Sequence, residues 1–308
     1  MTDRGALRRS RQAASEKHVP MNRIFRIHRT KLIMITPAVL VIAALIAFPI
    51  IYTVQLSVTE GLGSGAALGL DNYRAVLTDT GRFWPALGRT VIFTGAALAL
   101  QLVLGVGTAL LLRRPFRGHQ VVKTILILPL VTSPVAVASI WLLMLEPNLG
   151  IVNEVLGWLQ ISPQGWLKDP NQAFPTLILL DIWQFTPLIV LIALAGLSGL
   201  PEEVEEAAVV DGANYLQRTR HVTLPLLRNT IVVAAVLRGV DAMKTFDIIY
   251  ATVGPGGGGG HTAETLNVYV YGLSFDYIEV GKAAVALIAF FVLVLAVAIV
   301  IIRRAARE

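Results

Sequence analysis

Three stretches, residues 32–57, 90–112 and 124–145, contain no charged side chain. Each exceeds the roughly 20 residues a helix needs to cross a hydrocarbon layer about 30 Å thick. Residues 173–200 carry the single acid Asp181 and residues 283–302 carry no charge, so both read as further spans. A last candidate, residues 229–253, holds Arg238, Asp241, Lys244 and Asp247. In lipid these charges would cost several kcal/mol unless they face a protein interior or a wet cavity. With 55% hydrophobic and 15% charged residues the chain lies far from the balance of a soluble domain. The expectation is an all-α integral membrane protein with six transmembrane helices.

Basic residues near span ends are retained on the cytoplasmic side. Residues 1–31 hold nine Lys and Arg, and Arg113, Arg114, Arg117, Lys123, Arg218, Arg220, Arg228, Arg303, Arg304 and Arg307 fall on the same side after six crossings. The opposite loops hold only Arg74, Arg82, Arg89, Lys168 and Lys282. Both termini are therefore expected in the cytoplasm. Topology accounts for the net charge of +6, and nucleic acid is not an expected partner. The first span follows a long basic lead without a small-residue cleavage pattern, so it reads as retained rather than as a signal peptide. The basic arm 1–31 reads as a flexible or interfacial tail, and residues 305–308 as a cytoplasmic tail.

Catalytic patterns are absent from the sequence. There is no cysteine, and the five histidines show no ligand spacing, so no metal site is expected. The run Gly254-Pro255-Gly256-Gly257-Gly258-Gly259-Gly260-His261 lacks the Lys and Ser/Thr of a phosphate loop and reads as a turn-prone outer segment. The Gly-rich stretch 61–69 reads as another outer turn. Short helices are expected near residues 71–78 and 151–159. The chain reads as a non-enzyme subunit without a cofactor of its own.

Residues 201–225 form a polar cassette between two apolar segments. Pro201 suits the first turn of a helix, and Glu202, Glu203, Glu205 and Glu206 lie at the positive end of its dipole. Val204, Ala207 and Ala208 give it one small apolar face, and Asp211-Gly212 ends it in a turn. A second short helix is expected at about 215–221, with Leu224-Pro225 then redirecting the chain into the next span.

The order Glu206-Ala207-Ala208, Asp211-Gly212-Ala213 and Val222-x-Leu224-Pro225 resembles the signature of permease subunits of binding-protein-dependent ABC importers. Gly165-Trp166-Leu167-Lys168-Asp169-Pro170, Trp183-Gln184-Phe185-Thr186-Pro187, Ala195-Gly196-Leu197 and Phe246-Asp247-Ile248-Ile249-Tyr250 are similar to the carbohydrate branch. Tyr269-Val270-Tyr271 leading to Gly281 resembles the maltose or glycerol-phosphate type first permease. The Gly254-Pro255 loop departs from the usual Gly-Gly-Pro. The resemblance implies a type I importer permease fold over 32–304. It implies a second permease, two ABC ATPase subunits that use ATP and Mg, and an extracytoplasmic solute-binding protein as partners.

The same resemblance implies that Glu205, Glu206, Ala207, Ala208, Asp211, Gly212, Ala213, Leu224 and Pro225 couple the chain to an ATPase. It places Gln184, Phe185, Leu188, Arg238, Asp241, Ala242 and Thr245 on the substrate path. From spacing alone, Arg238, Asp241, Lys244 and Asp247 recur every three residues on one helix. They could touch solute or form an ion-pair ladder against a second permease, and both readings stay open at this stage. A secondary transporter would need duplicated halves, which the sequence lacks. A simple membrane scaffold would need neither the charges nor the hairpin.

Overall fold

The computed structural model describes residues 21–60 and 67–307, with side chains described over 35–60 and 67–303. Most of the basic arm, part of the 61–69 turn and the end of the tail lie outside the described residues. The chain divides into two units, residues up to Thr53 and residues from Val54 onward. The elements are α1 (Met21–Ser57), the two-residue antiparallel pair β1 (Thr59–Glu60) and β2 (Ala67–Leu68), α2 (Asp71–Leu77), α3 (Phe83–Leu111), α4 (His119–Val131) and α5 (Pro134–Met144). They continue with α6 (Ile151–Trp158), α7 (Pro170–Ser198), α8 (Glu202–Val210), α9 (Tyr215–Arg218), α10 (Leu224–Met243), α11 (Asp247–Val253), α12 (Leu266–Tyr271) and α13 (Val280–Arg307). Residues 21–31, expected in a flexible or interfacial arm, are helical within α1.

Among the described residues five helices are long and apolar enough to cross a membrane, and a sixth crossing would be the pair α4 and α5 taken together. That pair corrects the expectation of one straight span over 124–145, because the two helices meet at a bend of 100°. The cause is local. Pro134 opens α5 and pushes the preceding Ser133 out of the α region to ψ of 136°, and Thr132 before it is extended as well, with ψ of 138°. Each half is shorter than the hydrocarbon layer at about 1.5 Å per residue.

The span expected over 229–253 falls within the candidate span Tyr215–Val253 and holds a short non-helical step. α10 stops at Met243 and α11 starts at Asp247, so Lys244 and Asp247 do not share the helix of Arg238 and Asp241. The freed carbonyls find partners far along the chain: Asn267 Nδ2 donates to Lys244 O at 2.8 Å, and Thr265 Oγ1 to Thr245 O at 3.5 Å. At its other end α10 runs straight out of α9 through a π-helical turn, Thr219–Thr223. Leu224-Pro225 therefore does not redirect the chain. The wider turn accommodates a ring that has no N–H and would otherwise crowd the carbonyl four residues back.

Helix α3 packs along α7, and α10 packs against α3, α7 and α13. Small residues allow the approach, as is usual where lipid supplies no hydrophobic force between helices. A Cβ on Gly105 would lie 2.6 Å from Ile189, and one on Gly196 would lie 2.7 Å from Leu227 and Thr230. Three apolar clusters fill the second unit, around Phe83 and Tyr269, around Phe93 and Leu177, and around Ile189 and Leu227. α4 buries no residue and exposes Val121, Ile125, Leu128 and Val131, a surface suited to lipid or to another membrane helix.

Candidate functional site

At the centre of the bundle Arg238 is fully buried and holds three helices together. Its Nη2 donates to Asp181 Oδ2 of α7 at 2.5 Å, its Nη1 to Asp241 Oδ2 at 2.7 Å, and its Nε to Gln101 Oε1 of α3 at 3.0 Å. Gln101 Nε2 completes the ring by donating to Asp181 Oδ2 at 2.9 Å. Asp181, Gln101 and Arg238 are all 0% exposed. The guanidinium carbon also lies 4.2 Å from the Phe185 ring centroid, a cation–π contact. Sequence reasoning assigned no role to Asp181 or Gln101. The lone acid in an otherwise uncharged span was the available signal for Asp181; nothing marked Gln101.

Beside this cluster opens a cleft of about 200 Å³, lined by Pro134, Gln184, Phe185, Asp241, Lys244, Thr245, Phe246, Asp247 and Ile248. Both interrupted helices contribute to it, Pro134 from the first break and residues 244–247 from the second. Irregular backbone at membrane depth is tolerated where it is buried in protein or lines a cavity. Of the residues expected on a substrate path, Gln184, Phe185, Asp241 and Thr245 line the cleft. Arg238 lies behind it, Ala242 is 2% exposed in the interior, and Leu188 is half-buried outside the lining. Asp241 and Lys244 are exposed. Gln184 Nε2 donates to the free Thr132 carbonyl at 3.4 Å, while its Oε1 is buried without a hydrogen bond.

The cassette forms the expected hairpin, and its glycine has a geometric reason. Gly212 takes φ of +78°. Its N–H donates to Val209 O and the Ala213 N–H to Ala208 O, both at 3.0 Å, which is the Schellman closure of α8. Asn214 then opens α9 with a capping box: Gln217 N donates to Asn214 Oδ1 and Asn214 N to Gln217 Oε1, each at 2.9 Å. Val210 and Leu216 stand 87% and 73% exposed on either side of the turn.

Glu205 faces inward, although it was expected among the residues that couple to an ATPase. It accepts from Arg113 Nη1, just past α3, and from Thr223 Oγ1 at 3.0 Å. Burial pushes its carboxyl up, but the hydrogen bonds from Arg113 and Thr223 and the charges of Arg113 and Arg218 outweigh that and hold it below the usual range. Around this clamp lies a cavity of about 530 Å³ that also takes in Arg114, Glu202, Glu206 and Tyr215.

On the far face Glu264 is buried and bound by Arg82, with Nη2 to Oε1 at 2.6 Å and Nε to Oε2 at 3.3 Å. His261 Nδ1 lies 3.2 Å from Glu264 Oε2 and 3.1 Å from Gly256 O, so the Gly-rich segment closes as two 3₁₀ turns over this carboxylate. Arg82→Met is expected to strand the Glu264 charge and to destabilise the detergent-solubilised protein by about 3 kcal/mol, read from its thermal unfolding midpoint. The double variant Arg82→Met with Glu264→Leu is expected to recover most of that loss. Among the described residues no group of three or more His, Asp or Glu side chains is placed to hold a metal ion.

Spanning helices, a projecting hairpin and a cleft between two interrupted helices define a membrane permease subunit. The sequence matches the family described as binding-protein-dependent transport system inner membrane component over residues 101–307, and the chain belongs to it. It is 35% identical over 274 residues to the trehalose/maltose transport system permease protein MalF of Thermococcus litoralis, covering 88% of this chain and 92% of that one. It is 32% identical over 276 residues to the sulfoquinovosyl glycerol transport system permease protein SmoG of Agrobacterium fabrum, covering 88% of each. A chain in the crystal structure of a bacterial ABC transporter that imports the acidic polysaccharide alginate shares its fold, with a TM-score of 0.81 at 24% identity over 92% of this chain and 99% of that one. The chain is thus an integral membrane permease subunit of a binding-protein-dependent ABC transporter, not an enzyme.

Proposed function

We propose that this chain forms half of the translocation path of an ATP-driven importer of carbohydrates, as the first of two permeases. Its partners are a second permease, two ABC ATPase subunits that bind ATP and Mg, and an extracytoplasmic solute-binding protein. Relatives that are named for trehalose/maltose, for sulfoquinovosyl glycerol and for trehalose support the substrate class. So does the similar fold of a bacterial alginate ABC transporter solved in complex with an alginate pentasaccharide-bound periplasmic protein. The distribution of basic residues supports an inner-membrane location with both termini cytoplasmic. The arm 1–31, the transmembrane domain 32–304 and the short tail are the domains on this reading.

The observation that carries the proposal is the cleft. An aromatic face, an amide, a carboxylate, an ammonium and a hydroxyl converge there from Phe185, Gln184, Asp241, Lys244 and Thr245. A sugar presents an apolar ring face and a rim of hydroxyls that both donate and accept, which such a lining matches. The way in which force reaches the cleft follows from the continuous helix. From Tyr215 to Met243 the chain is helical without a gap, about 43 Å at 1.5 Å per residue. An ATPase that displaces the hairpin, through Glu206, Ala207, Ala208, Asp211, Gly212 and Ala213, then moves Asp241 as part of one rigid rod. Closure of the ATPase pair on ATP favours one of two conformations, and solute delivery must favour the same one.

Purification of this chain after coexpression with its candidate partners is expected to bring down an ATPase and a second permease. In proteoliposomes the complete assembly should accumulate a carbohydrate only with ATP and binding protein, and this chain alone should accumulate nothing. Accumulation by the isolated chain would falsify the proposal.

A further inference from the structure

The wall of the cleft does not end at Phe246. That ring lies 4.8 Å from Tyr271 and 5.1 Å from Tyr250, centroid to centroid, and Tyr271 lies 4.8 Å from Phe275. Tyr250 and Tyr271 meet edge to face at 4.9 Å. Phe246 with Tyr250 and Tyr271 with Phe275 are pairs four residues apart in the chain, and tertiary packing brings the two pairs together through Tyr271. None is buried. Phe246, Tyr250 and Tyr271 are half-exposed and Phe275 is 69% exposed. Two of the rings carry phenol hydroxyls, and the exposed Asp276 follows Phe275 directly in the chain, so polar groups accompany the rings.

We propose that Phe275, Tyr271, Tyr250 and Phe246 form an outer subsite that receives sugar rings of the solute on their way to Asp241 and Gln184. The inference rests on the carbohydrate reading above and adds where the ring faces are met first. Exposed aromatic faces about 5 Å apart let a sugar ring pass from one face to the next without losing its stacking partner. The hydroxyls of Tyr250 and Tyr271 and the carboxylate of Asp276 take up hydrogen bonds at the rim. Lipid tails would leave those polar groups unsatisfied, at a cost that a sugar avoids. Phe246 belongs to both the ring series and the cleft, which makes the two continuous.

The test uses the complete importer in proteoliposomes, with binding protein and ATP. The wild-type assembly is screened against a panel of mono- and oligosaccharides, and the carbohydrate it accumulates serves as the probe. Phe275→Leu and Tyr271→Leu keep apolar volume and remove the ring. Each is expected to raise the KM for the solute-loaded binding protein about tenfold, the loss of one stacking contact, with the maximal rate within about twofold and subunit copurification intact. Phe275→Trp is expected to restore the wild-type KM. An unchanged KM in both leucine variants overturns the subsite while leaving carbohydrate import standing. Loss of the second permease on copurification also overturns it, because the rings would then be an interface between subunits. A wild-type assembly that accumulates no carbohydrate overturns the reading on which the subsite rests.

Discussion

Arg238→Met is expected to abolish transport and to lower the stability of the permease by about 3–5 kcal/mol, the usual cost of breaking a buried pair. The Arg238 side chain neutralises Asp181 in a setting where both are 0% exposed. Without it the Asp181 carboxylate keeps only the bond from Gln101 Nε2 to Oδ2, and its Oδ1 already lacks a hydrogen bond. The informative variant is the double one, Asp181→Leu with Arg238→Met. Replacing a whole buried ion pair by apolar side chains of similar volume is often neutral or stabilising, so the thermal midpoint of the solubilised complex should return toward wild type. Transport should not return with it. Arg238 also fixes Asp241, through Nη1 at 2.7 Å, and backs the Phe185 ring, and both line the cleft. Arg238→Lys should fail as well, because an ammonium cannot reach Asp181, Asp241 and Gln101 with the geometry of a guanidinium fork. Should the double variant carry solute at the wild-type rate, the cluster serves stability alone and Arg238 does not position the cleft.

Much of the architecture was legible in the sequence because a bilayer leaves few options. Uncharged runs give spans, and the cassette gives a hairpin whose Asp211-Gly212 turn has the predicted place. What was not legible has specific causes. The bend at residues 132–134 was foreshadowed by Pro134, but hydropathy does not distinguish a straight span from a folded one. The break at 244–246 contains neither Gly nor Pro, and it is held by Asn267 and Thr265, some twenty residues further on, so no local pattern announces it. For the same reason the even spacing of Arg238, Asp241, Lys244 and Asp247 suggested one helix where there are two. Four acids in α8 looked equivalent until Arg113, about ninety residues earlier in the chain, singled out Glu205. The partner of Arg238 could be sought at Asp181, the only acid in its span, whereas Gln101 is a neutral amide with no distinguishing neighbours.

Reversing one charge of the hairpin clamp is expected to uncouple ATP use from uptake, and reversing both is expected to restore it. Glu205 ties α8 to the end of α3 through Arg113 and to the foot of α10 through Thr223. A push on α8 therefore reaches α3 and α10 together, and these two helices carry Gln101 and Arg238. Glu205→Arg would place a third guanidinium beside Arg113 and Arg218, and uptake per ATP hydrolysed should fall at least tenfold. Adding Arg113→Glu recreates an opposite pair and should bring the ratio most of the way back. Removing charge without reversal, as in Glu205→Gln, should have a smaller effect, because a partly exposed pair is screened. The clamp is expected to hold at neutral pH. Glu205 is held below its ordinary value in the fold, so its contribution is present above the normal carboxylate range and is lost only as pH falls through the depressed value. Gly212→Pro attacks the same route at the hairpin tip. Proline cannot take φ of +78° and has no N–H for Val209 O, so the Schellman closure is lost and the exposed Val210 and Leu216 change their relative placement. Uptake should vanish while solute capture by the binding protein stays unchanged. If Glu205→Arg kept the wild-type ratio of uptake to hydrolysis, force would have to enter through the hairpin tip without passing the Arg113 clamp.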